Sequence, residues 1–136
     1  MSTPEVSTGA TAIVVAGDEE TRVLLRGLLR LHHFRVDGEA EGASHALELL
    51  RDHRPHLLVA DVNLAEGNPF TLIAVARAIL PTSKVVLVAS ASDPPNFQSH
   101  IGYRPEVVLL RPFRTREFLE GVTPKQGSDA PVTKGR

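Results

Sequence analysis

Four short, unbroken apolar runs constrain the fold of this chain more than any other feature of its sequence. They are AIVVA (12–16), LLVA (57–60), VVLVA (85–89) and VVLL (107–110). Each is rich in Val, Ile and Leu without polar alternation, which is typical of strands buried on both faces of a parallel sheet. A fifth segment, residues 34–37, alternates apolar and polar residues and predicts an edge strand with one less covered face.

Amphipathic segments fill the gaps between these runs. Three of them carry apolar residues at helical spacing, and residues 94–102 and 114–122 predict two shorter helices. The predicted apolar faces are Leu24, Leu25, Leu28 and Leu29, then Ala43, Ala46, Leu47 and Leu50, then Leu72, Val75, Ala76, Ile79 and Leu80. In the first helix, the opposite stripe of Arg22, Arg26 and Arg30 is interpreted as a solvated face, with docking of a partner as the alternative.

Strands that alternate with helices predict an α/β domain with right-handed crossovers. The number and size of the units match the flavodoxin-like doubly wound arrangement, a five-stranded parallel sheet of strand order 2-1-3-4-5 with helices on both faces. Residues 12–122 form the predicted domain. Residues 1–11 and 123–136 are rich in Ser, Thr, Gly and Pro, and they are predicted to be flexible tails.

Composition excludes several classes of protein. The formal charge is −1, so no basic field predicts binding to nucleic acid or to an anionic membrane. Cysteine is absent, which excludes disulfides, thiolate catalysis and cysteine-ligated metals. The apolar runs are too short to span a bilayer, and the N-terminus does not resemble a secretory signal, so the expected location is the cytoplasm. The six histidines lack zinc-binding spacing and are assigned no metal.

The residues that follow the predicted strands indicate where the chemistry lies. In an open α/β sheet, ligands bind beyond the carboxyl ends of the strands, near the point where strand order reverses. Four strands deliver polar groups to that edge: the segment 17–20 (GDEE), Asp61, Ser90 and Arg111. Carboxylates opposite a hydroxyl and a cation predict a site for a divalent metal with a phosphoryl group. Glu19 and Glu20 are interpreted only as favourable acids at a helix N-terminus, a role that is also the alternative for Asp18.

Three motifs carry a resemblance to a known family. The run LLVADVNL (57–64) resembles the strand that ends in a phospho-accepting aspartate, and VASA (88–91) the strand that ends in a switch hydroxyl. Arg111-Pro112-Phe113 stands where that family has Lys-Pro-Phe. Over residues 12–121 the chain therefore resembles a response-regulator receiver domain of two-component signalling.

The resemblance implies a role for each residue of the site. Asp61 accepts phosphate from a phosphohistidine, Ser90 bonds a phosphate oxygen, and Arg111 pairs with another in place of lysine. Mg²⁺ is the implied cofactor, held by Asp61, the backbone carbonyl of Asn63 and Asp18. The implied partners are a histidine kinase or phosphotransferase, a downstream protein target and, as a further option, a second copy of the chain. The resemblance implies at most the self-phosphorylation and autodephosphorylation that are typical of receivers, and no metabolic activity.

The chain also departs from that family. Receivers usually end the first strand with two acidic residues that hold Mg²⁺, and Ala16 and Gly17 occupy these positions in an ungapped alignment. A gapped alignment places Gly17 and Asp18 there instead. Weak or lost Mg²⁺ binding is expected, and Gly17→Asp, combined with Ala16→Asp if needed, is expected to raise the affinity. Val108 stands where an aromatic switch residue is usual.

The sequence thus supports a leading function and two alternatives. The leading one is a stand-alone receiver that is phosphorylated on Asp61. The first alternative is a pseudo-receiver, a protein-interaction module that works without phosphate or metal, and the missing acidic pair favours it. The second, a flavin- or nucleotide-binding protein, lacks any glycine-rich phosphate loop after the first strand.

Overall fold

The structure is a computed structural model that describes residues 9–92 and 105–123. Its elements follow the predicted alternation of strand and helix. In chain order they are β1 (Thr11–Val15), α1 (Glu19–Leu31), β2 (Arg35–Ala40), α2 (Ala43–His53), β3 (Leu57–Asp61), α3 (Pro69–Ile79), β4 (Lys84–Ser90), β5 (Val107–Arg111) and α4 (Thr115–Val122).

The five strands form one parallel sheet in the order β2-β1-β3-β4-β5. The predicted fold class and strand order are therefore confirmed. Val15 pairs with Ala60 across β1 and β3, and Ser90 pairs with Arg111 across β4 and β5. Because all strands run the same way, these pairs bring the ends of four strands to one edge of the sheet.

Helices cover both faces of the sheet, and each face has its own apolar core. On one face α1 and α4 contribute Leu25, Leu29 and Phe118, all fully buried against β1, β3 and β4. On the other face α2 and α3 contribute Leu50 and Ile73 among others. This double coverage explains why the central strands are continuously apolar in sequence. None of the helices within the described ranges has the length and hydropathy needed to cross a membrane.

The boundaries of several elements differ from the prediction. Thr11, assigned to the N-terminal tail, begins β1, and the buried Ala10 accepts a hydrogen bond from the backbone amide of Arg35 at 2.9 Å. The edge strand β2 extends to Ala40. The last predicted helix is present and begins at Thr115. The helix predicted at 94–102 lies outside the described residues.

The orientation of α1 also differs from the prediction. Leu24, predicted on the buried face, is 49% exposed, while Leu25 and Leu29 are fully buried. The arginine stripe is not uniformly solvated, because Arg22 and Arg26 are half-buried and bonded. Arg22 Nη1 donates to the carbonyl of Ala16 at 2.8 Å, and Arg26 forms an ion pair with Glu39 at 2.6 Å. Long arginine side chains can lie along the protein surface in this way and still reach polar partners. Arg30 is exposed as predicted.

Candidate functional site

Asp61 is the centre of the predicted site, and the structure buries it at the end of β3 with 2% exposure. Its Oδ2 accepts a hydrogen bond from the backbone amide of Asn63 at 3.3 Å. Its Oδ1 lies 3.2 Å from Arg111 Nη2 as an ion pair, without forming a hydrogen bond within the described part of the chain. Burial raises the pKa of Asp61, and the neighbouring Arg111 opposes part of that rise. The site thus contains a desolvated carboxylate with a cation already beside it.

Arg111 supplies that cation from the last position of β5. Its side chain is 30% exposed, so the guanidinium lies between solvent and the buried Asp61. The following peptide bond, Arg111–Pro112, is cis. The structure therefore brings Arg111 into the predicted site, where its charge partner is Asp61 itself.

Ser90 ends β4 at the same edge, but its hydroxyl bonds to a neighbour in sequence. Ser90 Oγ lies 2.7 Å from Ser92 Oγ and accepts a hydrogen bond from the Ser92 amide at 3.2 Å. Ser92 is not among the predicted site residues, although Ser-x-Ser after a strand is a pattern that favours such local turns. Val108, at the position where an aromatic residue is usual, is half-buried.

Gly17 makes a close backbone contact with the loop after β3. Its amide donates to the carbonyl of Asn63 at 2.8 Å. A Cβ placed on Gly17 would lie 2.8 Å from the backbone nitrogen of Ala65 and 3.0 Å from both the Asn63 oxygen and the Leu64 carbonyl carbon. The loop after β3 therefore lies against the position where a side chain at residue 17 would begin. An aspartate at position 17 would require this loop to move.

Asp18 performs a structural task next to this contact. It is the N-cap of α1, and its Oδ2 accepts hydrogen bonds from both the amide and the hydroxyl of Thr21 at 2.9 Å. The bond from the Thr21 amide is the main cause that lowers the pKa of Asp18. Glu19 and Glu20 are exposed in the first turn of α1, the position expected for acids that interact only with the helix dipole.

Glu66 holds the other side of the loop after β3, and it is not among the predicted site residues. Its Oε2 accepts a hydrogen bond from the Ser44 amide at 2.7 Å, and its backbone carbonyl accepts one from Ala43 at 3.0 Å. The N-cap of α2 is Gly42, which offers no side-chain oxygen, so Glu66 replaces the missing cap. Gly67 follows with a left-handed φ of +88°, which glycine adopts without strain. The 22-residue separation between Ser44 and Glu66 leaves no local pattern from which to predict the contact.

These residues do not fit a Mg²⁺ ion. Each of the three oxygen sources that the resemblance assigned to the metal has another partner: Asp61 faces Arg111, the Asn63 carbonyl accepts from Gly17, and Asp18 caps α1. No group of three acidic or histidine side chains that could hold a metal occurs in residues 9–92 and 105–123. Mg²⁺ demands near-ideal octahedral oxygen coordination, which this arrangement does not provide.

Comparison with known proteins identifies the family. The sequence profile of the response regulator receiver domain matches residues 12–123. The chain is 21% identical over 101 residues to the chemotaxis protein CheY of Bacillus subtilis (strain 168), covering 74% of this chain and 84% of that protein. The chain therefore belongs to the response regulator receiver domain family, whose members typically bind Mg²⁺ at an acidic site and interact with kinases or phosphotransferases and downstream effectors.

Solved structures show the same fold. A response regulator from Chloroflexus aurantiacus J-10-fl superimposes with a TM-score of 0.74 at 21% identity, covering 83% of this chain and 93% of that one. The receiver domain of AraT, a response regulator from Geobacillus stearothermophilus, gives a TM-score of 0.73 at 23% identity. The match covers 83% of this chain and 89% of that one. The architecture is thus that of a receiver, while the site has its own arrangement.

Proposed function

We infer that this domain is a pseudo-receiver, a phosphate-independent protein-interaction module in which an internal contact replaces the metal site. The observation that carries the proposal is the contact between Gly17 and the loop after β3. A Cβ at Gly17 would lie only 2.8 Å from the Ala65 nitrogen, so the space that an acidic side chain needs is occupied by backbone. The sequence supports this proposal because the acidic pair is missing. The geometry supports it because the loop after β3 lies against Gly17.

The charge balance of the site supports the same proposal. Phosphoryl transfer to a carboxylate needs a cation to offset charge on the phosphoryl oxygens. In this site the nearby cation, Arg111, is already paired with Asp61, and Asp61 is 2% exposed. In the proposed module the buried, paired Asp61 acts as a structural partner of Arg111 rather than as a nucleophile. The folded domain would then signal by binding a downstream protein target. We place this binding in the cytoplasm.

Intact mass spectrometry after incubation with acetyl phosphate tests the proposal. The wild-type chain is compared with Asp61→Asn, each with Mg²⁺ and with a chelator, beside a receiver of the same family that has the acidic pair. We expect no phosphoryl adduct on either chain under conditions that modify the control receiver. Titration calorimetry of the wild-type chain with Mg²⁺ should show no saturable heat at millimolar concentrations of the ion.

The second candidate function is phosphoryl acceptance on Asp61 from a histidine kinase or phosphotransferase. The observation in its favour is that Asp61, Ser90 and Arg111 end three adjacent strands at one edge of the sheet. In that reaction a carboxylate oxygen of Asp61 would bond to phosphorus while the phosphorus–nitrogen bond of phosphohistidine breaks. A single adduct that needs both Mg²⁺ and Asp61 would establish this function and overturn the phosphate-independent proposal.

A further inference from the structure

An apolar surface on α1 is not used by the fold of the domain. Val23, Leu24 and Leu31 are 45%, 49% and 64% exposed, and they are three of the five large hydrophobic side chains that the described residues expose. Their spacing along one side of the helix, with Gly27 between them, makes a continuous stripe rather than scattered residues. We call Val23, Leu24, Gly27 and Leu31 the α1 stripe. Clustered exposure of this kind marks interaction sites.

Gly27 at the centre of the α1 stripe is a second, independent observation. A Cβ on Gly27 would have nothing within 4 Å, so packing within the domain does not require a glycine there. A glycine inside a helix costs about 1 kcal/mol relative to alanine. A small residue within an apolar stripe lets the backbone of another helix approach closely, which a larger side chain would prevent. The position is therefore suited to contact with a second helix.

The charges at the two ends of α1 determine which helix fits. The first turn carries Glu19 and Glu20, and the last turn carries Arg30. Glu20 and Arg30 are both exposed and lie on the same side of the helix as the α1 stripe. An antiparallel copy of the same helix would place each acidic end beside a basic end, whereas a parallel copy would place like charges together. The charges of α1 are thus complementary to those of a second, antiparallel α1.

We propose that α1 packs antiparallel against α1 of a second copy of this chain. Two-fold symmetry then sets Leu24 of one copy over Gly27 of the other, and Glu20 of one copy beside Arg30 of the other. Such an interface has the same patch on both subunits, as expected for a two-fold dimer. A single helix pair lies at the small end of protein interfaces, so we expect a weak dimer that depends on protein concentration.

Sedimentation equilibrium of the full chain over a range of concentrations tests the proposal. We expect the wild type to dimerise and Leu24→Glu to raise the dissociation constant at least tenfold. The matched control is Leu119→Glu, which places the same charge on another exposed leucine, in α4, and should leave dimerisation unchanged. A wild type that stays monomeric at about 1 mM, where even a weak complex with a dissociation constant near 0.1 mM forms, overturns the proposal. The proposal is also overturned if Leu119→Glu prevents dimerisation while Leu24→Glu does not.

Two further variants test the close approach and the antiparallel direction. Gly27→Leu has open space in the monomer and better helix propensity, so the domain should keep or gain thermal stability while its dimer weakens at least tenfold. A tighter dimer of this variant would overturn the close packing at Gly27. Arg30→Glu should weaken the dimer, and the double variant Glu20→Arg with Arg30→Glu should restore it. Failure of the double variant to restore association would overturn the antiparallel charge pairing.

Discussion

Arg111 reaches across the end of β4 to place its Nη2 atom 3.2 Å from Oδ1 of Asp61. The two residues end β5 and β3, which are separated in the sheet by β4, so the pair spans about 10 Å of sheet width. An arginine side chain has the length for this, and its guanidinium remains charged at every physiological pH. The domain thus supplies its own counter-charge for the buried aspartate.

The first prediction concerns the energetic cost of the Asp61 charge. Burial raises the pKa of Asp61 above its unfolded value of 3.8 even with Arg111 beside it. The folded state then binds the proton more tightly than the unfolded state, so stability falls as pH rises from 3.8 through the folded pKa. Asp61→Asn should therefore be more stable than wild type at pH 7, by about 1.4 kcal/mol for each unit of pKa elevation.

Urea denaturation of both chains between pH 3 and pH 8 measures this difference. The two curves should converge near pH 3, where Asp61 is protonated in both states. An Asp61→Asn variant less stable than wild type at pH 7 would mean that the pair with Arg111 outweighs desolvation.

The second prediction compares two glycines. Gly17→Ala should destabilise the domain by about 1–3 kcal/mol, because the new Cβ would lie 2.8 Å from the Ala65 nitrogen and backbone would have to shift. Gly27→Ala is the matched control, since its Cβ meets nothing within 4 Å, and it should stabilise the domain by about 1 kcal/mol. Thermal denaturation of the two variants at low protein concentration, where the chain is monomeric, measures both effects. If Gly17→Ala and Gly27→Ala changed the free energy of unfolding equally, the close packing of the loop after β3 against Gly17 would be contradicted.

The third prediction concerns Glu66 as a helix cap supplied by another segment. Glu66→Ala removes the acceptor of the Ser44 amide and should cost about 1 kcal/mol. Glu66→Gln keeps an oxygen acceptor and should cost less. Hydrogen exchange followed by NMR should show faster exchange of the Ser44 amide in Glu66→Ala than in Glu66→Gln. Unchanged protection of that amide in both variants would disprove the cap.

The fourth prediction concerns Asp18 at acidic pH. Hydrogen bonds from Thr21 lower the pKa of Asp18 below 3.8, so its charged form stabilises the folded state. This contribution is fully present above pH 3.8 and is lost as pH falls through the folded pKa. Asp18→Asn can still accept the Thr21 bonds but has no charge to titrate. The stability gap between wild type and Asp18→Asn should therefore narrow below pH 3.8, and a gap that widens on acidification would refute the capping role.

The sequence was sufficient to predict the sheet and which side chains meet at its edge. Uninterrupted Val, Ile and Leu mark strands covered on both faces, and parallel strands bring Asp61, Ser90 and Arg111 to the same end. The contacts of Gly17 with the loop and of Glu66 with Ser44 join segments far apart in the chain. No local periodicity encodes such contacts, so the closing of the site was not predictable from sequence.

The burial of α1 shows a different limit. Leu24 and Leu25 are adjacent in sequence and equally apolar, and periodicity alone assigned both to the core. The structure buries Leu25 and exposes Leu24, while Arg22 bonds to the carbonyl of Ala16, just after β1, and Arg26 bonds to Glu39 in β2. The rotation of α1 decides which of the two leucines faces the sheet. That rotation depends on contacts with other segments, which the sequence of the helix alone does not contain.

Glu66 connects the loop after β3 to the first turn of α2 through hydrogen bonds from Ala43 and Ser44. A protein that drew Asn63 away from Gly17 would also pull on Glu66, and the amide of Ser44 would lose its acceptor. The loop after β3 therefore connects the Gly17 contact at one end to the N-terminus of α2 at the other. The helix joined to the loop in this way, α2, packs with α3 on the face of the sheet opposite α1.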